Sequence, residues 1–225
     1  MVFAGVFANT AAILVGCILG RLVKVADDVR DTITQGLGLA VCLIGFDMAL
    51  ESQQFLIPIA ALAMGGALGA ALDLEGRLER IGVSLGNKLG HSSGDFSNGF
   101  MTATLVFCVG AMAVIGSLNS GLYNDHQVLY AKAILDGLSS IFFTASFGIG
   151  VAFSAVSVFI YQGSIALLAR LISPLFNEAV LAELSSTGGL LVFALGLNMV
   201  GATKIRAGNL LPSIILAVIL AAIFA

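Results

Sequence analysis

The apolar run over residues 128–169 constrains this chain more than any other stretch. A helix crosses the hydrocarbon of a bilayer in ~20 residues, with a range of roughly 17–25. The run is far too long for one crossing, so it is read as two, divided at 146–150 around Gly148 and Gly150. Asp136 lies near the middle of the first crossing, and Lys132 lies one helical turn before it. The rest of the chain has the same character. Of its 225 residues, 59% are hydrophobic and 10% charged, where a soluble domain carries roughly 25% charged residues. The mean hydropathy of +1.06 points the same way. So does the abundance of glycine, the residue through which membrane helices approach closely. The fold class is therefore all-α, a polytopic membrane protein forming one integral domain over 1–225.

The same ruler marks eight transmembrane helices, at 2–20, 33–50, 55–72, 98–118, 128–147, 148–169, 187–203 and 210–225. The first precedes Arg21, the first charge, and reads as a retained span rather than a cleaved signal. Cytoplasmic loops collect Lys and Arg. With eight spans, alternate loops hold Arg21, Lys24 and Arg30, then Arg77, Arg80 and Lys88, then Lys204 and Arg206. The loops between them hold only Arg170. The N- and C-termini are then both outside. Three polar segments, 22–33, 74–89 and 174–184, read as amphipathic helices lying in the membrane interface. In the second, Leu74, Leu78, Ile81, Leu85 and Leu89 recur at helical spacing. In the third, Glu178 and Glu183 are expected to be solvated.

The two ends of the chain resemble each other. Gly38, Leu39, Val41, Gly45 and Met48 recur as Gly189, Leu190, Val192, Gly196 and Met199, and Leu56-Ile57-Pro58 recurs as Leu210-Leu211-Pro212. The loops between these blocks exchange their charge: Glu51–Gln54 has no Lys or Arg, whereas its counterpart has Lys204 and Arg206. This pattern predicts inverted three-helix repeats, spans 1–3 within about 1–72 and spans 6–8 within about 148–225. An interfacial helix and two central spans occupy about 73–147. Inverted repeats recur in secondary transporters, whose halves exchange conformations about a midplane site. Channels also contain them, and so would a scaffold descended from a duplication.

An ionisable side chain at the bilayer centre costs ~2.5–3.5 kcal/mol on insertion scales, so it marks a pathway or a pair. Asp136 and Lys132 project from one helix face at i and i−4, and Ser139, Ser140 and Thr144 extend that stripe. Asp136 is read as an ion- or proton-binding carboxylate with Lys132 as a tethered competing charge, or as half of a packing ion pair. Asp47 and Asn198 occupy equivalent repeat positions, as vestibule residues, caps of local helix breaks, or solvated helix ends. Asn98 and Thr102 are candidates on span four, where Thr104 and Cys108 also lie, and Asn9 and Thr10 on span one are weaker ones. The cysteines all fall in apolar runs and read as packing residues. His91 and His126 are read as solvated loop residues. No His-Glu-x-x-His, Gly-x-Ser-x-Gly or phosphate-loop motif occurs, so neither an enzyme nor a cofactor is expected and no metal is assigned. The expected partners are the lipid bilayer, an ion or small solute, and a second copy in a homo-oligomer; Gly16-x-x-x-Gly20 and Gly65-x-x-x-Gly69 are read as close helix packing, within the chain or between subunits. Nothing suggests nucleic acid.

Asn98-Gly99-Phe100, the run Phe107 to Ser117, and Lys132 with Leu135-Asp136-Gly137 resemble the YqgA/YdfK-like family of bacterial membrane proteins (DUF554) over the whole chain. The resemblance implies a multi-pass protein of the bacterial inner membrane and a possible transporter, and it carries no substrate. Sequence and resemblance together lead to a small secondary transporter of an ion or small solute, cation- or proton-coupled through Asp136. The alternatives are an ion channel and a non-transporting membrane scaffold.

Overall fold

The computed structural model describes residues 2–23, 27–88 and 94–224. Among them the regular structure is helical and no strand occurs. The helices are α1 (Ala4–Leu22), α2 (Asp27–Ala49), α3 (Leu56–Ala71), α4 (Leu74–Lys88), α5 (Gly94–Cys108), α6 (Ala111–Tyr123), α7 (Gln127–Phe147), α8 (Ser154–Ile172), α9 (Glu178–Val200) and α10 (Pro212–Phe224). Lys24, Ala26, Leu89 and His91 lie outside the described residues, as do the side chains of Asp27, Asp28, Arg30, Leu85 and Lys88.

Three expectations are corrected. The fourth span is not one helix: α5 stops at Cys108 and α6 starts at Ala111, with a bend of 62°. Gly110 between them has φ +121°, a backbone conformation that side chains with a Cβ rarely adopt. The segment 174–184 is not a separate interfacial helix. Its larger part is the opening of α9, which Asn177 caps by accepting from the Val180 amide at 2.8 Å. Likewise Asp27 onward forms the first turns of α2, since no break separates it from the apolar part. The helix expected at 74–89 is present as α4, set off from α3 by Asp73 at φ 48°.

The chain forms two compact units. The first comprises Met1–Ile33, Glu79–Cys108 and Met112–Ser173. In it α1 lies parallel to α7: Gly5 meets Leu129, Gly16 meets the Gly137 carbonyl, and Gly20 meets the Ile141 carbonyl. A Cβ at Gly16 or Gly20 would collide with that backbone, so glycine sets the helix separation. The α8 helix runs against α1, with Phe159 beside Phe7 at 5.4 Å between ring centroids and Ala166 packed with Val6. The chain therefore reverses between α7 and α8. It does so at Gly148, φ +78°, followed by the 3-10 turn Gly148–Phe153. The first half of 128–169 is thus antiparallel to the second.

The second unit comprises Thr34–Leu78, Val109–Ala111 and Pro174–Ala225. Here α2 and α9 are antiparallel, with Gly45 on the backbone of Gly189 and Phe193, and Gly196 on Cys42 and the Gly38 carbonyl. The α3 and α10 helices are also antiparallel, Gly65 meeting Ser213 and Gly69 meeting Asn209. Ile57, Val180 and Ala221 form a buried cluster under Phe176, Val218 and Leu220. Large apolar side chains stay exposed on α2 (Leu39, Leu43, Phe46), α7 (Ile134, Leu138, Phe142) and α10 (Ile215, Ile219, Ile223). In water such surface would be costly, whereas lipid tails cover it without loss.

Candidate functional site

The site is built in the first unit on α7. Asp136 is the tenth residue of that helix, about 14 Å along its axis from the start. Lys132 lies one turn earlier, and its Nζ donates to Asp136 Oδ1 at 3.0 Å. The second carboxylate oxygen accepts from Asn9 Nδ2 of α1 at 3.0 Å. Asn9 Nδ2 donates again to Gln162 Oε1 of α8 at 3.3 Å. All four side chains are buried, Asn9 and Gln162 completely. Ser140 closes the stripe on α7 by donating to the Asp136 backbone carbonyl at 2.6 Å. The packing explains the convergence: Gly16 and Gly20 let α1 lie directly on α7, which brings Asn9 to the carboxylate.

Two polar atoms of this cluster have no partner, Asn9 Oδ1 and Gln162 Nε2. A carboxylate can only accept, so Asn9 must turn its amide nitrogen to Asp136. That nitrogen can only donate, so Gln162 must turn its oxygen to Asn9. The charge on Asp136 thereby orients both amides and strands their other ends. Cys108, at the end of α5, lies within electrostatic reach of Lys132 and Asp136, and Tyr161 of α8 within reach of Cys108. The break between α5 and α6 follows immediately after Cys108.

The other sequence candidates are distributed differently. Ser139 is half-buried on α7, beside the buried Ser140. Thr102 is buried on α5 and Asn98 is exposed there. Asp47 is exposed on α2 in the second unit. Asn198, in the same unit, is a loop staple: its Oδ1 accepts from Thr203 Oγ1 and the Ile205 amide, both at 2.8 Å, and its Nδ2 donates to the Ile205 carbonyl at 2.7 Å. The contacts of α2 with α9 put Asp47 toward the Gly189 end of that crossing and Asn198 toward the Gly38 end. His126 is half-buried rather than a free loop residue. Its Nδ1 lies 2.7 Å from Ser120 Oγ, whose proton goes to the Val2 carbonyl at 2.7 Å.

Glu183 corrects a further expectation. It is fully buried, not solvated. Oε1 accepts from the Gln53 and Gln54 amides at 2.8 Å each, and Oε2 from Ser52 Oγ at 2.7 Å. These are donors at the start of α3, where unpaired amides and the helix dipole favour a negative charge. Sequence reasoning also missed Gln162, although it is the single amide side chain within 148–169. Among the described residues no three His, Cys, Asp or Glu side chains are grouped as metal ligands.

A family model described as "Protein of unknown function (DUF554)" matches residues 4–222. The chain belongs to this family. It is 33% identical over 218 residues to the "Uncharacterized membrane protein YdfK" of Bacillus subtilis (strain 168), covering 94% of this chain and 93% of that protein. It is 29% identical over 225 residues to the "Uncharacterized protein YqgA" of Escherichia coli (strain K12), covering 97% and 96%. No solved structure matches it. With its apolar helices and a relative named as a membrane protein, this DUF554 chain is a membrane protein.

Proposed function

We propose that this DUF554 protein is a small secondary transporter of an ion or small solute, coupled to a proton or cation through Asp136. The observation that carries the reading is the Lys132–Asp136 pair, buried mid-helix and joined by two amides from two other helices. A pair kept only for packing would have its amide neighbours satisfied. Here Asn9 Oδ1 and Gln162 Nε2 are left open, each at a cost of about 1–3 kcal/mol, which a bound ligand or water would remove. The tightness of the pair, 3.0 Å, is what favours the second reading, a non-transporting scaffold. A channel would need a continuous polar path.

Two features support the alternating-access frame. Five stretches are long and apolar enough to cross, or seven if each bent pair is one span. Dividing Gln127–Leu175 at its reversal adds the eighth, which keeps both termini outside a bacterial inner membrane and the Lys and Arg clusters inside. The inverted repeat is supported by contacts that exchange under it: Gly45 on Gly189, and Gly196 on Gly38. Gln54 and Gly208, each four residues before a matched proline, both donate their amide to a distant carboxylate, Glu183 and Glu75 respectively. No enzymatic step is assigned.

The test is flux in proteoliposomes under an imposed proton gradient. Asp136→Asn is expected to reduce coupled solute flux at least about tenfold, since the amide cannot carry the proton. Absence of any solute movement by the wild type, with Lys132–Asp136 intact, selects the scaffold reading.

A further inference from the structure

Within the first unit, the end of α1 borders a groove of about 500 Å³. Leu14, Cys17, Ile18 and Leu22 line it from the last turns of α1. Ile149 and Ala152 line it from the 3-10 turn that follows α7. These side chains are apolar, and the one charged group in the lining is Arg21, in the last turn of α1. Leu14, Ile18 and Leu22, spaced four residues apart, share a helix face and stay exposed. Arg21 is exposed as well, and its guanidinium makes no ion pair or hydrogen bond with another described residue. At 1.5 Å per residue the groove runs about 10 Å along α1, from Arg21 inward to Leu14. Half of the hydrocarbon thickness of a bilayer is about 15 Å. The groove is thus charged where the apolar run ends and oily over most of the depth of one leaflet.

We propose that this groove holds one anionic phospholipid, its phosphate on Arg21 and an acyl chain along Leu14, Ile18 and Ala152. An unpaired guanidinium at the end of a crossing helix favours an anion, and its planar fork matches two phosphate oxygens. The apolar lining favours hydrocarbon at the depth where a lipid tail lies. A phospholipid carries both in that order. Inorganic phosphate has nothing to place in the groove, and an apolar helix of a second copy would cover it while leaving Arg21 without a counter-charge. The two parts act differently. Lipid tails are as apolar as the lining, so moving a chain from the bilayer into the groove gains little. The groove therefore fixes where the lipid sits, and Arg21 decides which headgroup stays. Zwitterionic lipids also carry a phosphate, but their own ammonium offsets its charge, so Arg21 attracts an anionic headgroup more strongly. This site stands apart from Asp136 and does not depend on the transport reading.

The experiment is native mass spectrometry of the full chain in a neutral detergent, titrated with phosphatidylglycerol or phosphatidylethanolamine of identical acyl chains. The first phosphatidylglycerol adduct is expected at about fivefold lower lipid concentration than the first phosphatidylethanolamine adduct, the factor one basic side chain contributes at an anionic lipid surface. Arg21→Gln should bring the two lipids to within about twofold of each other. Ala152→Phe, which fills the groove, should remove the preferred adduct, and Val156→Phe, at an exposed position outside the lining, should keep it. If Ala152→Phe does not fold, Ile18→Trp fills the same groove from an exposed position on α1. Inorganic phosphate in large excess should leave the adduct in place. The proposal is overturned if the wild type takes up both lipids equally, if Arg21→Gln keeps the preference, or if the groove-filling variant keeps the adduct. It is equally overturned if inorganic phosphate displaces the lipid, or if the wild type forms a dimer in place of a lipid adduct.

Discussion

A carboxylate out of reach of water is tolerable only when its lone pairs are filled, and Glu183 meets that condition with two backbone amides and a hydroxyl. Removing it leaves three donors at the start of α3 without an acceptor. Glu183→Ala should lower stability by about 2–4 kcal/mol, seen as a midpoint about 4–16 °C lower for a chain of this length. Glu178 is exposed in the first turn of α9, where it assists only the helix dipole, and Glu178→Gln should cost at most about 1 kcal/mol. Equal melting of the two variants would mean that Glu183 is not the cap of α3. The two glutamates are five residues apart in one helix, and nothing local separates them. Their difference arises because Glu183 points at the end of α3, a helix more than a hundred residues away in the chain.

At the scale of elements, glycine decides which helices touch. A Cβ at Gly45 would run into the Phe193 backbone, whereas one at Gly36, on the same helix, meets nothing within 4 Å. Gly45→Ala should therefore push α2 off α9 and cost about 1–3 kcal/mol. Gly36→Ala should be neutral or stabilise by up to about 1 kcal/mol, through helix propensity alone. A matched pair of melting curves checks this, and a Gly45→Ala protein as stable as Gly36→Ala would refute the close α2–α9 crossing. The sequence pairing of Gly38 with Gly189 and Gly45 with Gly196 singled out these positions without showing that they meet each other. The break at Gly110 was not legible either, because span four has the uninterrupted hydropathy of a single helix.

For the whole molecule, the proposed eight-span reading carries a prediction about orientation, since it puts both ends outside. A green fluorescent protein joined to the C-terminus should stay dark in a bacterial host, and alkaline phosphatase joined there should be active. The opposite pair of results would put the C-terminus inside, which overturns the proposed orientation, either by inverting all eight spans or by making the number of crossings odd through a different treatment of Gln127–Leu175 or of the two bent pairs.

Hydropathy, helix length and i, i+4 spacing are properties of a few neighbouring residues. They sufficed to establish a helical membrane protein, the separate helix α4, and the adjacency of Lys132 and Asp136 on α7. Partnerships across the chain are another matter. Asn9 meets Asp136 over a separation of 127 residues and Gln162 over 153. Which apolar helix faces lie together depends on the fit of glycines against backbone, and many faces here are alike in composition. Only the packed structure chose them, and with them the burial of Glu183 and the open ends of Asn9 and Gln162.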